Sequence, residues 1–307
     1  MLKKGIVYCS TGSNYRIKSE GQFYDCRIKG KFRIKDIKST NPVAVGDKVS
    51  FTIEPKKKFK GVITAIETRQ NYIVRKSVNL SKQTHIIAAN IDQVFLMITL
   101  KTPQTFPAFI DRFLVTALAY DINMLLLFNK IDLYDKDELR VMRDLKSVYQ
   151  NIGYECHEVV ASDLKTLAFI QSKMEGKVSM FSGHSGAGKS TLVNSLSPGL
   201  DLKTASISKQ HQQGQHTTTF AEMFDLGASR IIDTPGIKGF GVVDIQPEEL
   251  SGYFIEFAAL KGSCKFNNCM HTSEPKCAIK EAIEVGKIAP SRYKSYLQLL
   301  EEDSLYR

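Results

Sequence analysis

The sequence predicts a multidomain chain in three parts: a small N-terminal β-barrel, a central α/β domain on a parallel sheet, and a mostly helical C-terminal module. Three observations predict this. Residues 1–75 fall into short runs rich in β-branched and aromatic residues, broken by turn signals. From about residue 90, strand-like and helix-like patterns alternate. Beyond residue 245 that rhythm stops, and three cysteines and a histidine crowd into the fourteen positions from Cys264 to Cys277. The expected domains are therefore 1–75, 76–245 and 246–307.

In the first part, Gly5 to Ser10, Gln22 to Ile28, Lys48 to Ile53 and Gly61 to Glu67 read as strands. Thr11-Gly12-Ser13-Asn14, Asn41-Pro42, Gly46-Asp47 and Glu54-Pro55 read as the turns between them. An OB-like barrel fits, the small barrel most often found on nucleic acid. Charge points the same way. The chain carries a net +10, yet residues 1–80 alone hold 18 Lys/Arg against six acids. That excess of twelve leaves −2 for everything after residue 80, so the positive field belongs to one module and suits a polyanionic partner such as RNA.

Neither a membrane nor a secreted protein is expected. No apolar run approaches the ~20 residues that span a bilayer, and the start of the chain lacks the apolar core of a signal peptide. The expected compartment is the cytoplasm, where thiols stay reduced.

In the central part, Gln93 to Leu100 is a buried-strand run and Ala108 to Tyr120 is helical. Ile122 to Phe128 is a strand, and Lys136 to Gln150 is a helix with Asp135 placed to cap it. Glu155 to Val160 and Lys177 to Phe181 are strands. Such alternation gives a parallel sheet with helices on both faces.

Motifs sit on this frame at strand ends. Gly183-His184-Ser185-Gly186-Ala187-Gly188-Lys189-Ser190 fits G-x-x-x-x-G-K-[ST], follows a strand and runs through Thr191 into a helix. Backbone N–H groups of such a loop cradle phosphate oxygens, helped by the helix dipole. Lys189 would reach the β- and γ-phosphates, and Ser190 would give a hydroxyl to Mg²⁺. Asp233-Thr234-Pro235-Gly236 follows Ile231-Ile232, where a P-loop protein places the aspartate of the Mg²⁺ shell; Gly236 could turn its N–H to the γ-phosphate. Asn129-Lys130-Ile131-Asp132 resembles the N-K-x-D guanine motif. The Asp132 carboxylate can accept from both N1–H and the 2-amino group of guanine, a donor pair adenine lacks. Gly214-Gln215-His216-Thr217-Thr218-Thr219 resembles the switch I threonine segment, with Thr217 or Thr218 reaching Mg²⁺. Val160-Ala161-Ser162 resembles the fifth guanine-binding motif.

The order of these motifs is permuted. N-K-x-D (129) and the fifth motif (160) precede the P-loop (183), the Thr run (217) and D-T-P-G (233), whereas the conventional order begins with the P-loop. The second switch therefore leads directly into the C-terminal module. Ile237 stands after D-T-P-G where a water-orienting glutamine would be, so intrinsic hydrolysis is expected to be slow; His216 is a candidate to position the water. Gly186 replaces the Asn that potassium-activated GTPases use at that position.

In the third part, Cys264-x₄-Cys269-x-His271-x₅-Cys277 offers three thiolates and an imidazole. Soft S/N donors in that number select tetrahedral Zn²⁺ and leave no open position, so the site is structural. Ala278 to Val285 and Ser291 to Leu300 read as helices around it, while Cys9, Cys26 and Cys156 lie in strands as core residues.

Barrel, permuted nucleotide motifs and C-x₄-C-x-H-x₅-C together resemble one family over nearly the whole chain, the ribosome small-subunit-dependent GTPase A (RsgA) proteins of bacteria. The resemblance implies a GTP hydrolase using GTP/GDP, Mg²⁺ and one Zn²⁺. It implies a monomer that binds the small ribosomal subunit and its rRNA in the GTP state and leaves after subunit-stimulated hydrolysis. A GTP-regulated RNA-binding protein with a non-ribosomal partner is the alternative the motifs leave open.

Overall fold

The computed structural model of the chain describes residues 2–28, 42–54, 59–76, 84–197, 221–233 and 245–305. Strands β1 (Leu2–Ser10), β2 (Tyr15–Ser19), β3 (Gln22–Ile28), β4 (Lys48–Ile53) and β5 (Lys60–Ile66) build the N-terminal barrel. They pair in the order β1-β2-β3-β5-β4, and β4 returns to β1, closing the sheet on itself. Alternation along the strands turns Val7, Tyr15, Ile17, Tyr24, Cys26, Phe51 and Ile63 inward as one core. Strand β2 falls outside the sequence expectation because Arg16 and Lys18 point away from that core, leaving only Tyr15 and Ile17 to carry an apolar signal.

A second, two-stranded sheet of β6 (Tyr72–Lys76) and β7 (Thr84–Ala89) follows the barrel and was not expected from the sequence. The barrel docks on it through residues 42–47. Ala89 donates its N–H to the Val45 carbonyl at 2.8 Å. Gly46 sits at φ +90°, and a Cβ there would lie 2.0 Å from the Ala89 carbonyl oxygen, so no larger residue allows this approach. Asp47 is fully buried, accepting from the Ala44 N–H at 2.8 Å and from Arg69 Nε at 2.6 Å.

The central sheet runs β10 (Glu155–Val159), β9 (Asn123–Asn129), β8 (Gln93–Ile98), β11 (Val178–Gly183), β13 (Ser229–Asp233), all parallel. One edge departs from the expected parallel arrangement. Strand β12 (Glu222–Leu226) lies antiparallel to β13, joined to it by the tight turn at Gly227. It then pairs with β1 at Cys9–Glu222, so the barrel and the central sheet are continuous. Across this junction Tyr8 donates its hydroxyl to Asp225 Oδ1 at 2.6 Å, and Lys18 pairs with the same carboxylate.

Helices cover both faces, as expected. Val94, Leu96, Ile98, Met124, Leu126 and Phe128 face α1 (Pro107–Ala119) and α2 (Lys136–Asn151). Their neighbours Phe95, Met97, Leu125 and Leu127 face α3 (Leu164–Met174) and α4 (Lys189–Leu196). Both sides of β8 and β9 are thus dry, which is why their sequences are continuous apolar runs. Asp135 caps α2 as expected: it accepts from the Glu138 N–H at 2.9 Å, and Glu138 answers on the Asp135 N–H at 3.0 Å.

The C-terminal module holds α5 (Pro247–Leu250), α6 (Ile255–Ala258), α7 (Ala278–Glu284) and α8 (Pro290–Leu305). Its core of Leu250, Phe254, Phe257, Ile279, Ile288, Tyr296 and Leu299 includes Val115 of α1. Helix α1 therefore faces the sheet with Ile110, Phe113, Leu114 and Ala117 and the C-terminal module with Val115. No helix among the described residues is long and apolar enough to cross a membrane.

Candidate nucleotide site and metal centre

The parallel strands end on one edge of the sheet, and the motif residues end with them. Register places Asn129 beside Val159, Gly183 beside Met97 and Met180 beside Ile232, one residue before Asp233. Loops leaving the carboxyl ends of such strands form the crevice where open α/β sheets bind ligands.

The P-loop leaves β11 at Gly183 and enters α4 at Lys189. Ser185 and Gly186 face solvent, whereas Ala187 is buried beneath them. Lys189 Nζ curls back over the loop and donates to the Gly183 and His184 carbonyls, both at 2.7 Å. Burial lowers the pKa of its ammonium group, and the Asp233 carboxylate opposes that. The Asp233 carboxylate is thus close enough for its charge to act on the Lys189 ammonium. Ser190 follows on the first turn of α4, half-buried, with Thr191 exposed beside it.

One side chain ties three motifs together. Asn129 is buried; its Nδ2 donates to the Ala187 carbonyl at 2.8 Å and its Oδ1 accepts from the Ala161 N–H at 3.1 Å. Asn129 therefore joins the P-loop to the segment Val160-Ala161-Ser162. Gly188 is fitted to it: φ is +104°, and a Cβ would lie 2.4 Å from Asn129 Nδ2. Lys130 takes the left-handed conformation, φ 67°, which turns the chain so that Asp132 emerges exposed on the short 3₁₀ turn Ile131–Leu133. Lys130 Nζ reaches the Thr102 carbonyl at 2.7 Å, closing a rim over the crevice.

Thr217, Thr218, His216 and Gly236, with Ile237, lie outside the described residues. Sequence reading missed two contributors. Phe109, on α1, stacks on His184 with ring centroids 3.9 Å apart, and Thr102 receives Lys130. Neither belongs to a motif, so only a fold that brings α1 and the 99–106 loop over the P-loop reveals them.

In the C-terminal module the donor atoms of Cys264, Cys269, His271 and Cys277 lie within 4.8 Å of one another. His271 Nδ1 stands 3.6 Å from Cys264 Sγ and 3.4 Å from Cys277 Sγ, and the two sulfurs are 4.0 Å apart. A tetrahedral Zn²⁺ with Zn–S near 2.3 Å has edges of about 3.8 Å, so the spacing of Cys264, His271 and Cys277 fits such an ion, with Cys269 beside them. His271 sits at φ 60°, and its carbonyl accepts from the Tyr293 hydroxyl at 2.6 Å, while Tyr296 holds the Met270 carbonyl at 2.8 Å. Cys277 is the N-cap of α7, so the cluster also fixes where that helix starts.

The chain is similar to known proteins. The model of the RsgA GTPase family matches residues 66–243, and that of the RsgA N-terminal domain matches residues 4–63. The chain is 63% identical to the small ribosomal subunit biogenesis GTPase RsgA of Christiangramia forsetii, over 99% of this chain and 98% of that protein. It is 59% identical to the protein of the same name from Flavobacterium psychrophilum, over 99% and 94%. Among solved structures, YjeQ from Thermotoga maritima superposes with a TM-score of 0.77 at 35% identity, covering 98% of each chain. YloQ, a circularly permuted GTPase, gives 0.74 at 29% identity, covering 100% of this chain and 96% of that one. The chain belongs to the RsgA GTPase family and, like it, hydrolyses GTP.

Proposed function

We propose that the chain couples GTP hydrolysis to late maturation of the small ribosomal subunit, gripping the subunit and its rRNA in the GTP state and leaving after hydrolysis that the subunit stimulates. The observation that carries this is the full-length likeness, at 63% and 59% identity, to proteins named for biogenesis of that subunit. Permutation supports it physically. Strand β13 ends at Asp233, and the chain after it enters the C-terminal module; the segment before β12 enters a strand that pairs with the barrel. Both switches are thus wired to a module that could hold RNA.

In this reading Gly183, His184, Ser185, Gly186, Ala187, Gly188 and Thr191 wrap the phosphates, Lys189 neutralises them, and Asp132 with Lys130 and Asn129 selects guanine. Mg²⁺, held by Ser190, Asp233 and Thr217 or Thr218, would screen the charge that builds on the phosphates. Gly236 would sense the γ-phosphate, and His216 would orient the water in place of the glutamine that Ile237 displaces. Zn²⁺ on Cys264, Cys269, His271 and Cys277 would hold the C-terminal module. The domains would divide near 75/76 and 245/246, and the protein would act as a cytoplasmic monomer.

The deciding experiment is GTP turnover at fixed enzyme, alone, with purified small ribosomal subunits, and with large subunits. Strong stimulation by small subunits only is the expected result. Equal rates in all three arms would refute the proposed client, while leaving the hydrolase standing.

A further inference from the structure

We propose that Phe109, which belongs to no nucleotide-binding motif, is a positioning residue for the P-loop, the second jaw of a clamp whose first jaw is Asn129. The proposal rests on the guanine-nucleotide reading of the site.

The clamp is visible in where the loop's backbone groups go. The turn from His184 to Ala187 is closed by the Ala187 N–H donating to the His184 carbonyl at 3.1 Å. At the Ala187 end, Asn129 Nδ2 holds the carbonyl at 2.8 Å. At the His184 end, the carbonyl also accepts from Lys189 Nζ at 2.7 Å. That oxygen is therefore shared between the loop's own turn and its phosphate-binding ammonium. Whatever fixes His184 fixes one of the two carbonyls, with that of Gly183, that aim Lys189.

The His184 side chain is fixed by Phe109. The two rings lie nearly flat on each other, with centroids 3.9 Å apart and planes 27° apart. Phe109 is itself backed by Phe113, at 4.9 Å between centroids, and Phe113 is fully buried in the core beneath α1. The support is rigid, because α1 is gripped on its other side by the C-terminal module through Val115 and Asp111. Burial, with the Lys189 charge, lowers the His184 pKa and favours the neutral imidazole that stacks flat on a benzene ring. A surface stack with no task would not be built on the residue whose carbonyl orients Lys189. Here a histidine in one of the motif's free positions meets an aromatic delivered by a different helix.

The test uses the full chain with Mg²⁺, GDP titrated by calorimetry and GTP followed by turnover. Phe109→Leu keeps the apolar bulk and removes the ring. It is expected to raise the GDP Kd and the GTP KM together by about three- to ten-fold, the worth of one aromatic pair, and Phe109→Tyr should restore both. His184→Ala should cost a similar factor, and the double variant should be no worse than either single one, because both remove the same contact. A merely structural Phe109 would instead give additive losses. As a direct readout, the His184 ring protons of the parent protein should resonate upfield of ordinary histidine signals and return on Phe109→Leu. Parental nucleotide affinity in Phe109→Leu, or ordinary His184 shifts in the parent, would overturn the proposal. A parent protein that binds neither GDP nor GTP would instead remove the nucleotide reading itself, and is seen in the same titration before any variant is made.

Discussion

Arg292 of α8 donates to Asp111 of α1 across 2.6 Å, and both side chains are almost wholly out of water. The same guanidinium donates to both oxygens of Glu256, at 2.6 and 3.1 Å, and lies 4.6 Å over the Phe254 ring. Tyr149 of α2 donates its hydroxyl to the same Asp111 oxygen at 2.9 Å. One cation thus serves two buried acids and joins the nucleotide domain to the C-terminal module. Removing it strands both acids. Arg292→Met should destabilise the protein by about 3–5 kcal/mol in denaturant unfolding, the usual cost of breaking a buried pair from one side. Arg292→Met combined with Asp111→Leu and Glu256→Leu should recover part of that loss, since no charge is then left unpaired. A single variant as stable as the parent would show that the acids are not charged in the folded state.

Asn129 carries the corresponding weight inside the nucleotide site. Asn129→Ala removes the partners of the Ala187 carbonyl and the Ala161 N–H, and each unpaired buried group costs about 1–3 kcal/mol. GTP binding should weaken by roughly ten- to a hundred-fold, with a smaller loss of global stability because the sheet beneath is untouched. Gly188→Ala should be at least as harmful, since its Cβ would strike the Asn129 amide and φ is +104°. Calorimetric GTP titration of the two variants decides it; parental affinity in Asn129→Ala would show that the loop keeps its shape without the clamp.

Much of this was legible in the sequence, where the signal is local. The strands that lead into Asn129 and Gly183, the capping of α2 by Asp135 and the four donors from Cys264 to Cys277 are read from neighbours in the chain. What was not legible depends on register and docking. Glu222–Leu226 shows no clean alternation and is not among the strands expected from the sequence, so the antiparallel edge and its bond to the barrel were hidden. Asn129 reads as part of N-K-x-D, yet its bond to Ala187 exists only because β9 and β11 flank β8. Asp111 and Arg292 are 181 positions apart, and nothing in either neighbourhood announces the other.

Asp132 stands exposed at the rim, turned outward by the left-handed Lys130. If its carboxylate accepts from two guanine donors, Asp132→Asn replaces one acceptor by a donor and sets it against the 2-amino group. A charge-assisted hydrogen bond is worth about 1.5–3 kcal/mol, so GTP affinity should fall roughly ten- to a hundred-fold. ATP binding should be unchanged, because adenine never used the carboxylate. Competition titrations of GTP against ATP measure the ratio directly, and an unaltered ratio would remove Asp132 from guanine selection.

The cysteine cluster makes the last prediction. Cys264 and Cys277 bracket a segment with little apolar core of its own: Lys265, Asn267, Asn268, Thr272 and Ser273 all carry polar side chains, and the Cys269 and His271 side chains are only half-buried. Its backbone is instead held by the Tyr293 and Tyr296 hydroxyls and by Glu274, which accepts from the Met270 and Thr272 N–H groups at 2.8 Å, and a metal on the four side chains would add to that hold. Taking the ion away should release the His271 and Met270 carbonyls from the two tyrosines and free the start of α7 at Cys277. Metal analysis should therefore find one zinc per chain. A strong chelator should remove it with a loss of near-ultraviolet tyrosine signal and several kcal/mol of stability in the C-terminal module, on the order seen when small metal-held folds are stripped. The barrel, with its own closed core around Phe51 and Ile63, should keep its strand signal. Cys277→Ser, which replaces a thiolate by a poor zinc ligand at an already buried position, should reproduce the chelator's effect. A stripped protein with unaltered tyrosine spectra would show that the four side chains meet without a metal to hold.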